Sequence, residues 1–211
     1  MPPEDRFVCR FAAEPPQELL PYGRWAERLR EEFLAACLRI DTEGIELGDP
    51  GEVAFYPDRT WNGRTYVAAT VDTGGGYQLF GYVSFVTGDE DDGDPSDFEA
   101  LADFTDETAA RNPDWKLDLC DEVVGVWRGE EGRQAAMTLI WGTPMGNARG
   151  VIATAELGSL AVDQCVLMED RFTLIAPDDY RGDTLEITLW NRRGEAVATE
   201  SLYEEDGEGA A

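Results

Sequence analysis

Apolar residues recur along this chain at two different periods. Trp25, Leu29, Phe33 and Cys37 return every fourth position, with Leu34 and Leu38 beside them. That spacing lays side chains along one stripe of an α-helix, and it predicts a helix after the Pro-rich stretch Glu14-Pro15-Pro16 that runs to about Arg39. Arg28 and Glu32 at i,i+4, with Glu27 and Arg30 at i,i+3, each add about 0.2–0.5 kcal/mol to such a helix. A short strand is predicted before it, over 7–12. After it, residues 53–61 and 64–72 read as strands joined by Asn62-Gly63, a pair suited to a type I′ turn because both central residues need φ > 0. A third strand, 77–87, follows Gly74-Gly75-Gly76, so the three form a meander.

A second helix is expected further on. Ser96 and Glu99 have capping-box spacing, which sets a helix start at Asp97. Phe98, Leu101, Ala102 and Ala109 then form its apolar side, and Asn112-Pro113 ends it. Beyond that point the chain reads as strands at 116–128, 133–142, 149–156, 160–168, 171–176, 184–191 and 195–203, with turns between them. Leu185, Ile187 and Leu189 alternate with polar residues, the mark of a half-buried strand. The expected fold is therefore α+β: predominantly antiparallel β, about nine to ten strands in a meander or sandwich-like arrangement, with two α-helices. The expected organisation is one domain over 1–211. A subdivision into an α+β part, 1–113, and a β-sandwich-like part, 114–204, is the alternative, and 205–211 form an acidic tail. The segments 60–70 and 189–199 share Trp, Asn, Arg, Ala and Thr at matching positions. Two hairpins that solve one turn problem with the same residues account for that echo.

Composition narrows the function. The chain has 211 residues, 44 Asp and Glu against 17 Lys and Arg, a formal charge of −27, and no His. A hydrophobic fraction of 43% with six Trp supports a packed core. Acids outnumber bases too heavily for nucleic acid or an anionic membrane surface to be the expected partner. Without His, no Ser-His-Asp or Cys-His catalysis and no His-ligated metal site arises within the chain. Cys9, Cys37, Cys120 and Cys165 form no C-x-x-C pair, so reduced thiols are expected rather than a metal knuckle or redox motif. No signal-like N-terminal segment and no long apolar run is present, which leads to the expectation of a cytoplasmic protein. The bases are one Lys, Lys116, and sixteen Arg. That bias reads as the signature of a GC-rich or salt-adapted genome, with the charge serving solubility.

Three stretches are candidates for chemistry. Residues 88–107 hold ten acids and no base. Asp89, Asp91, Asp92 and Asp94 are candidate ligands for a hard cation, Ca²⁺ or Mg²⁺. With Gly93 at the sixth position of an EF-hand loop, however, the first ligand position falls on Gly88, and a solvated, self-repelling loop is the plainer reading. No other cofactor is expected. Val71-Asp72-Thr73-Gly74 resembles the active-site turn of aspartic proteases, in which two aspartates share a proton and activate water. The resemblance implies Asp72 as a catalytic carboxylate. It covers these few residues only, Gly75-Gly76-Tyr77 follow, and there is no second D-T-G. Gly74–Gly76 lead into a strand rather than a helix, so they do not form a phosphate cradle. Trp61, Trp127, Trp141 and Trp190 suit a strand core better than a sugar platform.

What remains favours binding over catalysis. The expected function is that of a non-enzymatic acidic protein that binds or assembles with a protein partner, itself included. Asp89, Glu90, Asp91, Asp92 and Asp94 are expected at the contact, and Arg24 and Arg28 of the helix are its cationic candidates. The alternative is a hydrolase built on Asp and Glu, with or without a divalent metal.

Overall fold

The computed structural model describes residues 20–21, 23–86, 95–128, 132–178 and 184–202. Among them are one helix, α1 (Gly23–Cys37), and twelve strands in three antiparallel sheets. The first sheet holds β1 (Ala54–Phe55), β2 (Arg59–Trp61), β3 (Arg64–Asp72), β4 (Gln78–Val86) and β5 (Ser96–Thr105), in the order β1-β3-β4-β5 with β2 also on β3. The middle sheet is β10 (Phe172–Asp178), β7 (Gln134–Pro144) and β6 (Leu117–Arg128), in that order. The third runs β12 (Ala196–Ser201), β11 (Leu185–Trp190), β8 (Ile152–Leu157), β9 (Leu160–Val166). The predominantly antiparallel β character matches the sequence reading, whereas the helix and strand counts do not. The strand expected at 7–12 and the acidic tail lie outside the described residues.

The elements stack in four layers, and strand composition follows position in the stack. Leu29 and Phe33 of α1 pack on Val67, Ala69, Val71, Leu79, Val83 and Phe85 of the first sheet. The opposite face of that sheet, through Tyr66 and Ala68, meets Met137, Leu139, Trp141 and Ile175 of the middle sheet. The middle sheet's other face, through Ile140, Phe172, Leu174 and Ala176, meets Ala153, Ala155, Val162, Leu185, Ile187 and Leu189 of the third. Strands covered on both sides read as apolar runs rather than alternations. Met137 to Trp141 and Phe172 to Ala176 are such runs, each interrupted only by one threonine, Thr138 or Thr173, and all are buried. β11 is covered on one face by the middle sheet and keeps the alternation that the sequence displayed.

The expected second helix is instead β5. Phe98, Ala100, Ala102 and Phe104 point at α1, while Glu99, Leu101 and Asp103 point the other way, so the period is two. The S-x-x-E spacing is coincidental, because α1 needs an apolar surface beneath it and this alternation supplies one. Asp97 lies in the left-handed region at φ 52°. Arg64 donates to its carboxylate at 2.7 Å and to its carbonyl at 2.6 Å, which holds the strand's start. The single strand expected over 53–61 is divided into β1 and β2, with Pro57, which has no N–H to pair, between them. The two echoing hairpins use different turns: Asn62 and Gly63 take φ of 52° and 75°, whereas the Asn191 side chain accepts from the N–H groups of Arg193 and Glu195 at 2.8 and 3.1 Å.

A buried ion pair ties the sheets together. Arg59 of β2 donates to Asp163 of β9, with 1% and 0% of their side chains exposed. The same Asp163 oxygen accepts the N–H of Ile175 in β10 at 2.9 Å. One carboxylate thus joins all three sheets and caps part of the β10 edge. Burial raises the Asp163 carboxyl, while Arg59 and the Ile175 N–H pull it back down. Among the described residues no helix is long and apolar enough to cross a membrane, and Cys37, Cys120 and Cys165 form no disulfide.

Candidate functional site

The turn after β3 is rigid for a local reason. Thr73 closes it: its N–H donates to the Tyr77 carbonyl at 2.8 Å, and its hydroxyl accepts the Tyr77 N–H at 3.2 Å. The segment 46–51 clamps it from outside, with Gly75 N–H on the Leu47 carbonyl at 3.1 Å and Gly51 N–H on the Asp72 carbonyl at 2.9 Å. Gly48 has φ +83°, and a Cβ there would lie 2.5 Å from the Gly75 nitrogen, so these two backbones meet only as glycines.

This turn carries Asp72 into a cleft of about 470 Å³, lined also by Tyr77, Gln78, Thr108, Arg111, Asp118 and Met145. Asp72 accepts from Gln78 Nε2 at 3.2 Å. Asp118 of β6 comes to the same cleft, and its carboxyl is raised, first by burial and then by Asp72. The cleft's cation is already engaged: Arg111 donates to Asp106 at 2.7 Å and lies 5.9 Å from the Tyr77 ring centroid. A larger recess of about 600 Å³ sits beside β1, lined by Glu52, Phe55, Glu169 and Arg171 among others. There Arg171 donates to the Phe55 carbonyl at 2.9 Å and lies 6.0 Å from the Tyr56 ring centroid, so its cation is engaged too.

The cleft is one end of an acidic trough. Asp118, Cys120 and Glu122 share one face of β6, opposite Thr143, Trp141 and Leu139 of β7. Across from them, Glu99, Leu101 and Asp103 of β5 pair with Ser84, Tyr82 and Phe80. Phe80 and Tyr82 face the middle sheet, so these β5 residues face it too. Burial raises the Glu122 carboxyl, with Asp121 and Asp103 adding to it. Asp121 alternates to the other face of β6, opposite Ile140 and toward the third sheet, where burial raises its carboxyl, helped by Asp178. None of Asp103, Asp118, Asp121 and Glu122 has an ion-pair partner among the described residues, whereas Arg64 is occupied by Asp97 and Glu99. Cys120 donates weakly to Gln78 Oε1 at 3.8 Å. Burial and then Asp118 push its thiol upward, so it stays a protonated, unreactive group.

β6 is also an edge. It is 12 residues long, and among the described residues only β7 pairs with it. It is bulged between Val123 and Gly125, where a Cβ on Gly125 would lie 2.4 Å from the Trp61 ring. Val123 and Val126 are each 57% exposed and line a shallow groove with Gln134, Ala136 and Asp178.

The residues singled out from sequence fare unequally. Asp72 is in the cleft. Arg28 is on α1, where it pairs with Glu32 and lies 5.1 Å from the Phe98 ring centroid, so it pins the helix to β5. Arg24 is in α1 as well, its side chain outside what is described. Asp89, Glu90, Asp91, Asp92 and Asp94 lie outside the described residues, in the segment that joins β4 to β5. Sequence reasoning misses Asp103, Asp118, Asp121 and Glu122. The signal for two of them is the even spacing of Asp118 and Glu122 in a predicted strand. Among the described residues no group of three or more Cys, Asp and Glu is placed to hold a metal ion. Comparison with protein-family models, curated proteins and solved structures returns no match.

Proposed function

We propose that this protein acts by binding another protein through the trough between β5 and β6, without catalysing a reaction. One observation carries the reading: Asp103, Asp118 and Glu122, without ion-pair partners among the described residues, line the trough beside an edge strand whose other face exposes Val123 and Val126. The cations of a basic partner offset the repulsion that Asp72 exerts on Asp118 and Asp103 on Glu122. The remaining negative charge steers such a partner and makes its association salt-sensitive.

The test is carboxylate-directed crosslinking of the full chain in a lysate of its host, at low and high salt. The expected result is crosslinks on peptides spanning 96–105 and 117–128 that disappear at high salt and in a folded Asp103→Lys, Glu122→Lys variant. Crosslinks spread evenly over the acidic surface, or unchanged in the variant, argue against it.

The Asp72–Asp118 pair supports a second reading, a carboxylate hydrolase. Two carboxyls, one raised beside the other, are what a shared-proton pair needs. Under this reading Asp72→Asn and Asp118→Asn each abolish acid-side peptide hydrolysis while the melting temperature holds. Absence of turnover at any pH rules it out. For its metal-assisted form, melts with and without Ca²⁺, Mg²⁺ and Mn²⁺ decide, since an ion that binds the folded chain raises the melting temperature with the logarithm of its concentration above Kd.

A further inference from the structure

We infer that the open edge of β6 accepts a basic extended segment of the partner as an added strand of the middle sheet. This rests on the protein-binding reading above and names its mode and the chemistry of the partner. An edge strand presents a row of N–H and C=O groups that another strand satisfies, and side chains at alternate positions then supply selectivity. β6 lies over β4 in the stack, so a strand added beyond β6 lies over β5, on the face that carries Glu99, Leu101 and Asp103.

The charge pattern selects the occupant. Asp118, Cys120 and Glu122 repeat along β6 at every second residue, about 6.6–6.8 Å apart. A strand with Arg or Lys at every second residue has the same repeat, so its cations fall between Glu122 on one side and Asp103 and Glu99 on the other. The Arg stems cover Leu101, 42% exposed. Apolar residues at the alternate positions turn to the other face, beside Val123 and Val126. A second copy of this chain suits the edge poorly, because it brings Asp121 and Glu122 toward their own equivalents and joins two bodies of charge −27.

The experiment uses the full chain and three short capped peptides. The first alternates Arg and Val. The second sorts the same residues into an Arg block and a Val block, and the third is the alternating peptide with N-methyl groups on one edge. Fluorescence anisotropy gives affinities, and amide exchange locates the contact. Expected is a preference of about tenfold or more for the alternating peptide, the cost of one or two unmade backbone hydrogen bonds. Protection is expected on β6, together with weaker binding by the Glu122→Gln, Asp103→Asn variant at unchanged fold. Equal affinity for all three peptides overturns strand addition and leaves the protein-binding reading standing, since charge alone then suffices. No peptide binding with β6 protected by self-association overturns the basic occupant in favour of a second copy. No peptide binding in a monomer overturns the inference outright, and the crosslinking result separately decides the broader reading.

Discussion

The two edges of the middle sheet differ in how they are finished. At β10, Asp163 reaches from β9 to take the Ile175 N–H, Arg59 from β2 neutralises that carboxylate, and every residue of the strand is buried. At β6, carboxylates collect without cations among the described residues, and valines stay exposed. A buried ion pair is a costly way to close an edge, since both charges lose water. It is used where two other sheets press against the strand. The other edge retains the charges and the apolar surface that a sealed edge excludes.

Breaking the sealed edge gives the largest expected effect. Asp163→Ala leaves Arg59 buried and unpaired, and should cost about 3–5 kcal/mol in chemical denaturation. The Arg59→Met, Asp163→Leu double variant should cost less than either single removal, because no uncompensated charge remains. If the double is worse than the singles, the pair is stabilising in itself and the edge comparison loses its basis. Next is Gly125→Ala on the open side. Its Cβ meets the Trp61 ring, so a loss of about 1–3 kcal/mol is expected from overpacking.

The third expectation is pH dependence. Asp118, Asp121 and Glu122 have raised carboxyls in the folded state, against ordinary values of 3.8 for Asp and 4.5 for Glu. The folded chain then holds more protons than the unfolded one, so their stabilising contribution is complete below the ordinary values and is lost as pH rises through the raised ones. The melting temperature should climb as pH falls from neutral toward about 5, and Glu122→Gln should flatten that slope. A melting temperature that falls over the same interval sinks the assignment. The smallest effect is Val126→Thr, within about 0.5 kcal/mol as for most exposed positions, in contrast to Ile175→Thr on the sealed edge. Hydrogen exchange sharpens the same contrast: amides of β6 should exchange faster than those of β10.

Much of the fold is legible in the sequence. The periods near 3.6 and 2 locate α1 and most strands, and Asn62-Gly63 locates its hairpin. Those signals are local, because backbone geometry fixes side-chain spacing within a few residues. The misreading at 96–105 shows where local signals conflict. Capping-box spacing and a period of two are both present in Ser96-Asp97-Phe98-Glu99, and only the apolar face of α1 chooses between them. Of the candidate site, Asp72 is visible through its turn, while its neighbour Asp118 is not, because the two come together only when β6 is laid over the first sheet.

The sequence by itself determined the alternations, the turns, the charge and the exclusion of histidine chemistry, since each depends on residues close in the chain or on totals. Only the tertiary structure decided which edge of the middle sheet was sealed, that Asp163 meets Arg59 across 104 positions, and that carboxylates from β3, β5 and β6 line one trough. Those outcomes depend on how layers stack, and no period along the chain encodes which sheet will lie over which.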